Sequence, residues 1–229
     1  MNTMKTKQIL AGMVAAVALV AASSANVRAA SELTVYTAIE AEDLKKYADT
    51  FNKDHPDIKV KWVRDSTGIV TAKLLAEKNN PQADVVWGLA ATSLLLLKSE
   101  GMLHAYAPKG VAKLDKKFVD KSNPPTWVGM DAWVASICFN TVEAAKHKLP
   151  APTSWADLTK PVYFSHVAMS SPSRSGTTHL TVETILQGEG WAKGWRDMLM
   201  IAANCAAITE RSFGVPDGVN NGQYGIGLV

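Results

Sequence analysis

The sequence predicts an α/β fold built on parallel sheets, and three observations predict it. Short β-type runs alternate with helix-period segments from Leu33 to Lys98, and the alternation restarts after an irregular middle stretch. The composition, 47% hydrophobic and 20% charged over 229 residues, is that of an ordinary globular chain. Disordered, collagen-like and multi-span membrane classes are excluded on that ground.

The first residues stand apart from this fold. Residues 1–29 hold Lys5, Lys7 and Arg28 and no acid, with an uncharged apolar run from Ile9 to Ala22 and small residues around Val27-Arg28-Ala29-Ala30. A basic start, a short apolar stretch and small residues make a secretory signal peptide, since the run is shorter than the roughly 20 residues a membrane span needs. Cleavage falls after Ala29 or after Ala25. The remaining chain then carries 21 basic and 21 acidic side chains, so the excess charge of +3 belongs to the discarded segment. A neutral remainder gives no support to a nucleic-acid or anionic-membrane partner, which would require clustered excess Lys and Arg.

The elements follow in order. Leu33-Thr34-Val35-Tyr36 is a strand, and Leu44, Tyr47 and Phe51 mark a helix that ends at His55-Pro56. Ile58, Val60 and Trp62 alternate with lysines as a second strand. Asp65-Ser66-Thr67-Gly68 opens a second helix whose expected inner stripe is Ile69, Ala72, Leu75 and Ala76, stopped by Asn79-Asn80-Pro81. Asp84 to Trp87 is a third strand and Ser93 to Lys98 a third helix. This βαβαβα order indicates a parallel sheet covered by helices.

From Ala107 to Trp127 the Lys- and Pro-rich chain predicts irregular surface structure or a short helix. Trp133 to Phe139 reads as a long strand, and Pro150 to Leu158 as a loop feeding a capped short helix. Val167-Ala168-Met169 is a strand leading to Ser173-Arg174-Ser175-Gly176-Thr177-Thr178, then a helix to about Gln187, a Gly188-Glu189-Gly190 turn, and a helix containing Trp191, Trp195, Met198 and Leu199. Tyr224 to Val229 closes the chain as a strand.

Parallel sheets place ligands outside the carboxyl ends of their strands, so those ends carry the functional reading. Tyr36-Thr37, Ser66-Thr67-Gly68, Trp87-Gly88 and Ser175-Gly176-Thr177-Thr178 occupy them. Two of the four stand at helix N-termini, where unpaired N–H groups and the positive dipole end attract anions, and two such termini facing one cleft suit a tetrahedral anion. Each motif alone also fits an ordinary N-cap, and the aromatics also fit a core.

Other chemistry is poorly served. There is no Gly-x-Ser-x-Gly elbow, no Walker sequence and no His-Glu-x-x-His. A secreted hydrolase would have to use Ser173 or Ser175 with His179, which lies inside the helix those serines open and has no evident carboxylate partner. His55, His104, His147, His166 and His179 show no metal-ligand spacing. Cys138 and Cys205 either pair or lie buried, and they are too few for a disulfide framework. No catalytic group, metal or cofactor is expected.

These motifs, with Ala83 to Gly88, Pro152 to Leu158 and Glu210-Arg211-Ser212-Phe213-Gly214-Val215-Pro216-Asp217-Gly218-Val219, resemble the periplasmic substrate-binding proteins of ABC importers. The branch resembled holds ferric-iron, thiamine, sugar-phosphate and phosphonate binders, and the 2-aminoethylphosphonate group is the nearest in pattern. The resemblance implies a type II two-lobed fold, with residues 30–133 as an N-terminal lobe and 134–229 as a C-terminal lobe. Members are longer and return to the first lobe, so that return is expected to be missing here. It implies ligand contacts from Tyr36, Thr37, Ser66, Thr67, Gly68 and Trp87 on one lobe. On the other it implies contacts from Ser175, Gly176, Thr177, Thr178, Arg211, Ser212, Phe213, Gly214 and Val215. Glu210, Asp217, Trp87 and Tyr36 are candidates for holding a ligand amine. A monomeric periplasmic binder that delivers a phosphonate to an inner-membrane ABC permease is the implied function.

Overall fold

The computed structural model describes residues 31–229, so the signal-peptide assignment lies outside the described residues. In the first lobe, β1 (Ser31–Thr37) pairs in parallel with β2 (Ile58–Arg64) on one side and β3 (Val85–Trp87) on the other. The helices α1 (Ala41–Asp54), α2 (Thr67–Ala76) and α3 (Ala91–Ser99) connect and follow these strands. The order β2-β1-β3 is the parallel arrangement the βαβ alternation predicts. Tyr36, Val70, Leu74, Leu89 and Leu97 form its buried core.

The second lobe is a four-stranded mixed sheet. It comprises β4 (Ile137–Phe139), β5 (Val167–Ser170), β6 (Cys205–Thr209) and β7 (Ile226–Leu228), in the order β4-β7-β5-β6. β5 is parallel to both neighbours and β4 is antiparallel to β7. The helices are α4 (Thr141–His147), α5 (Gly176–Glu189), α6 (Trp191–Ala203) and α7 (Gly214–Asn220). All four residues of β5 are buried, as an apolar strand covered on both faces should be. Leu158, Tyr163, Val167, Ile201, Ile226 and Leu228 are among the twelve buried members of this larger core.

Between the lobes, residues 107–127 run with two 3₁₀ turns, Val111–Lys113 and Lys116–Phe118, as the weak periodicity predicts. Asp120 ties this stretch to α3 by accepting from Lys98 at 2.5 Å, from Ser122, and from the N–H and hydroxyl of Thr126. The capped turn after Pro152 is a 3₁₀ helix, Trp155–Thr159, held by a reciprocal Ser154–Asp157 capping box.

Two expectations are corrected, and two elements were not anticipated. The inner face of α2 is Val70, Thr71 and Leu74, with Ala72 and Ala76 exposed. Apolar residues on all sides left the stripe ambiguous, and Thr71 Oγ1 sets the rotation by donating to Thr67 O and meeting Ser93 Oγ on α3 at 2.9 Å. The strand expected from Trp133 spans Ile137–Phe139 alone, because the ladder with β7 ends at the Ser136–Val229 backbone pair and leaves Trp133 and Val134 exposed. β6 and α7 have weak local signals: α7 carries Gly214, Pro216 and Gly218, and burial of Val215, Gly218 and Val219 sustains it. A Cβ on Gly218 would sit 2.4 Å from the Tyr224 ring, so the low helix propensity there is the cost of close packing.

Both cysteines are free and half-buried. They lie on the two edge strands β4 and β6, about 14 Å apart at ~4.8 Å per strand, beyond disulfide reach. Burial pushes the Cys205 thiol up to about 11. Among the described residues no helix is long and apolar enough to cross a membrane.

Candidate functional site

The carboxyl ends of β1, β2, β5 and β6 converge where the two lobes meet. The starts of α2 and α5 touch there: the Gly68 N–H donates to Arg174 O at 2.9 Å. A Cβ on Gly68 would stand 2.0 Å from Ser173 O, and one on Gly176 would stand 2.8 Å from Thr67 Oγ1. At Gly68 the neighbour is backbone, an approach only glycine permits, while at Gly176 it is the Thr67 side chain.

The hydroxyls at the two starts differ. Ser175 caps α5, accepting from the Thr178 N–H at 3.1 Å, and its Oγ lies 2.5 Å from Ser212 Oγ. Ser66 occupies the N-cap position of α2 without a side-chain cap bond. Among the described residues, Ser66 Oγ, Thr67 Oγ1 and Thr177 Oγ1 and the N–H groups of Thr67, Gly176 and Thr177 have no hydrogen-bond partner. Helix-start donors in this state can serve an anion.

Three guanidiniums surround the junction. Arg64, at the end of β2, donates from Nε to Ile39 O at 2.7 Å and from Nη2 to Glu40. Arg211, after β6, donates to the same Glu40 oxygen at 2.5 Å. Arg174 Nη2 lies 3.8 Å from Asp65, and its buried Nε has no partner. Three cations against two carboxylates leave a net positive charge beside two positive helix ends.

Several expected lining residues are interior instead. Tyr36 is 2% exposed, with its hydroxyl on Glu77 at 2.9 Å and the Lys73 ammonium 5.4 Å from its ring. Burial, then the Glu77 carboxylate, raises its pKa. Thr37 is buried and accepts from the Ile39 N–H, Thr178 is buried against Ser170, and Val215 packs under Gly227. The Ser175 side chain is likewise buried. These five support the junction, because strand ends and helix first turns must also close the core beneath them.

Ser66, Thr67, Gly68, Gly176, Thr177, Arg211, Ser212, Phe213 and Gly214 remain partly or fully accessible. Trp87 stacks edge-on with Tyr47 at 4.9 Å and lines, with Gly88, Gly176 and Leu180, a cavity of about 1090 Å³ reaching along the first lobe. Glu210 and Asp217 are exposed. Sequence reasoning missed Glu40, Arg64 and Asp65 as junction residues and assigned Arg174 no role. The one available signal was their position immediately after predicted strands.

Among the described residues, neither the Ser173 nor the Ser175 hydroxyl hydrogen-bonds the His179 ring. Ser173 Oγ meets Ser171 Oγ at 3.0 Å, Ser175 is committed to its cap, and His179 faces Glu183 at 3.7 Å. No group of three or more His, Cys, Asp and Glu fit to hold a metal occurs among the described residues.

A sequence profile of the bacterial extracellular solute-binding proteins matches residues 80–227, more than half of the chain. The phosphoglycerate transport regulatory protein PgtC of Salmonella typhimurium is 38% identical over 136 residues, covering 56% of this chain and 34% of PgtC. The probable ABC transporter periplasmic-binding protein y4fP of Sinorhizobium fredii is 32% identical over 142 residues, covering 59% of this chain and 38% of y4fP. The chain thus spans little more than a third of the length of these relatives. Among solved structures, the periplasmic binding protein AfuA of Actinobacillus pleuropneumoniae, with fructose-6-phosphate bound, superimposes with a TM-score of 0.78 at 26% identity, covering 86% of this chain and 63% of AfuA. This profile, with the type II two-lobed architecture, places the chain in the bacterial extracellular solute-binding protein family.

Proposed function

We propose that this chain is the solute-capturing part of a periplasmic receptor for an ABC importer, and that its solute is a small organophosphorus anion such as 2-aminoethylphosphonate. The observation that carries this reading is the meeting of two helix starts, bearing unpaired N–H and hydroxyl donors, beside Arg64, Arg174 and Arg211. A phosphonate or phosphate offers three oxygens to such donors, and charge-assisted bonds of this kind are the strong ones. PgtC by its name and AfuA by its bound sugar phosphate point to the same class of anion. Residues 30–133 and 134–229 act as the two lobes, and the receptor works as a monomer that hands its solute to an inner-membrane permease without turning it over.

Calorimetry on the full-length protein tests the reading. 2-Aminoethylphosphonate, fructose 6-phosphate, phosphoglycerate, inorganic phosphate, thiamine and ferric ion are each titrated. An organophosphorus ligand should bind well above thiamine and ferric ion, and Thr177→Ala and Ser66→Ala should each weaken it about ten- to a hundredfold. Binding untouched by both substitutions, or a preference for ferric ion, overturns this assignment. Hydrolysis of the ligand that is lost in Ser173→Ala would instead favour the hydrolase.

A further inference from the structure

Each lobe has its own apolar core, with no residue shared between the two clusters. What crosses at the strand ends is polar. Glu40 precedes α1, and its Oε2 accepts from Arg64 on its own lobe and from Arg211 on the other, 171 positions along the chain. Glu40 and Arg64 are 20% and 18% exposed, and Arg64 is further fixed by Ile39 O, so the carboxylate is held in place from the first-lobe side. Arg211 is 45% exposed, and the adjoining Ser212 meets the cap of α5. One half of the contact is therefore built in, while the other can detach with the second lobe.

We propose that Glu40 and Arg211 form a latch that holds the two lobes together before solute binds, with Arg64 as the residue that positions the Glu40 carboxylate. A partly solvated ion pair contributes modestly, so the latch biases an open–closed equilibrium by about fivefold and does not lock it. Being ionic and reachable by solvent, it weakens as salt rises. The Asp65–Arg174 approach at 3.8 Å and the Gly68–Arg174 hydrogen bond lie beside it and keep closure from depending on one pair. The latch goes beyond the solute assignment and requires no particular solute.

The test uses solute-free, full-length protein carrying spin labels at the exposed positions Lys53→Cys and Ala192→Cys, with Cys138→Ala and Cys205→Ala. Pulsed electron–electron resonance reads the distance distribution between the lobes. Glu40→Gln should move population from the shorter to the longer distance by about fivefold, and Arg211→Gln should do the same. The double variant should move it no further than either single one, because both remove the same contact. Raising salt to about 1 M should shift the unsubstituted protein the same way. Unchanged distributions in both single variants, or full additivity in the double, overturn the latch. Should Glu40→Gln fail to fold, Arg211→Gln on its exposed side chain decides alone. Since no solute is present, failure here leaves the organophosphorus reading standing, and failure of that reading leaves the latch standing.

Discussion

The two lobes are built from similar units and are held together differently. The second has a contiguous cluster of twelve buried residues on a four-stranded sheet, with β5 wholly interior. The first has a cluster of five on three strands and borders a cavity of about 1090 Å³. Ionic contacts occur in both, such as Lys98–Asp120 and Lys73–Glu77 on the first side and Lys193–Asp197 and Lys160–Asp157 on the second. A rigid lobe and a softer one meeting at a polar junction is a division that suits relative movement, because locally weak regions are where conformational change is drawn from.

Matched core truncations test this contrast most strongly. Leu158→Ala in the second lobe and Leu97→Ala in the first both remove a buried leucine. Leu158 should cost about 4–5 kcal/mol and Leu97 about 2–3 kcal/mol, since neighbours beside an existing cavity can relax into the space. Differential scanning calorimetry should then show a drop of roughly 10 °C or more for Leu158→Ala and a clearly smaller one for Leu97→Ala. Equal losses would break the comparison.

The junction should respond in a different measure. Gly68→Ala puts a methyl group 2.0 Å from the backbone oxygen of Ser173, a contact only separation of the two helix starts relieves. Solute affinity should fall at least about tenfold, equivalent to ~1.4 kcal/mol, while each lobe's melting stays near that of the parent protein. A loss of stability comparable to Leu158→Ala, with affinity intact, would place Gly68 in a core.

Acid should sharpen the contrast by the smallest margin. The Lys98 ammonium, then the Ser122 hydroxyl, holds the Asp120 carboxyl far below the usual carboxylate range against the opposing effect of burial. An Asp whose folded pKa is depressed stabilises fully above its unfolded value near 4 and loses that contribution as pH falls below it. Hydrogen exchange between about pH 5 and pH 3 should therefore show α3 and residues 107–127 loosening before β5, and Asp120→Asn should make that loosening already present at pH 5. Simultaneous loosening of both lobes in the parent protein would count against it.

The strand–helix alternation, the break at Pro56, the capped short helix after Pro152, and the two glycine-bearing helix starts were legible in the sequence, because periodicity and capping act across a few neighbouring residues. The tertiary structure alone decided that α2 turns Val70 and Leu74 inward, that Ser175 is spent on a cap while Ser66 is not, and that Tyr36 belongs to the core. It alone brought Arg211 to Glu40 across 171 positions and sustained α7 against its own glycines and proline. Those outcomes depend on which surfaces the chain topology brings together, and a side chain's partner at that range leaves no trace in local spacing.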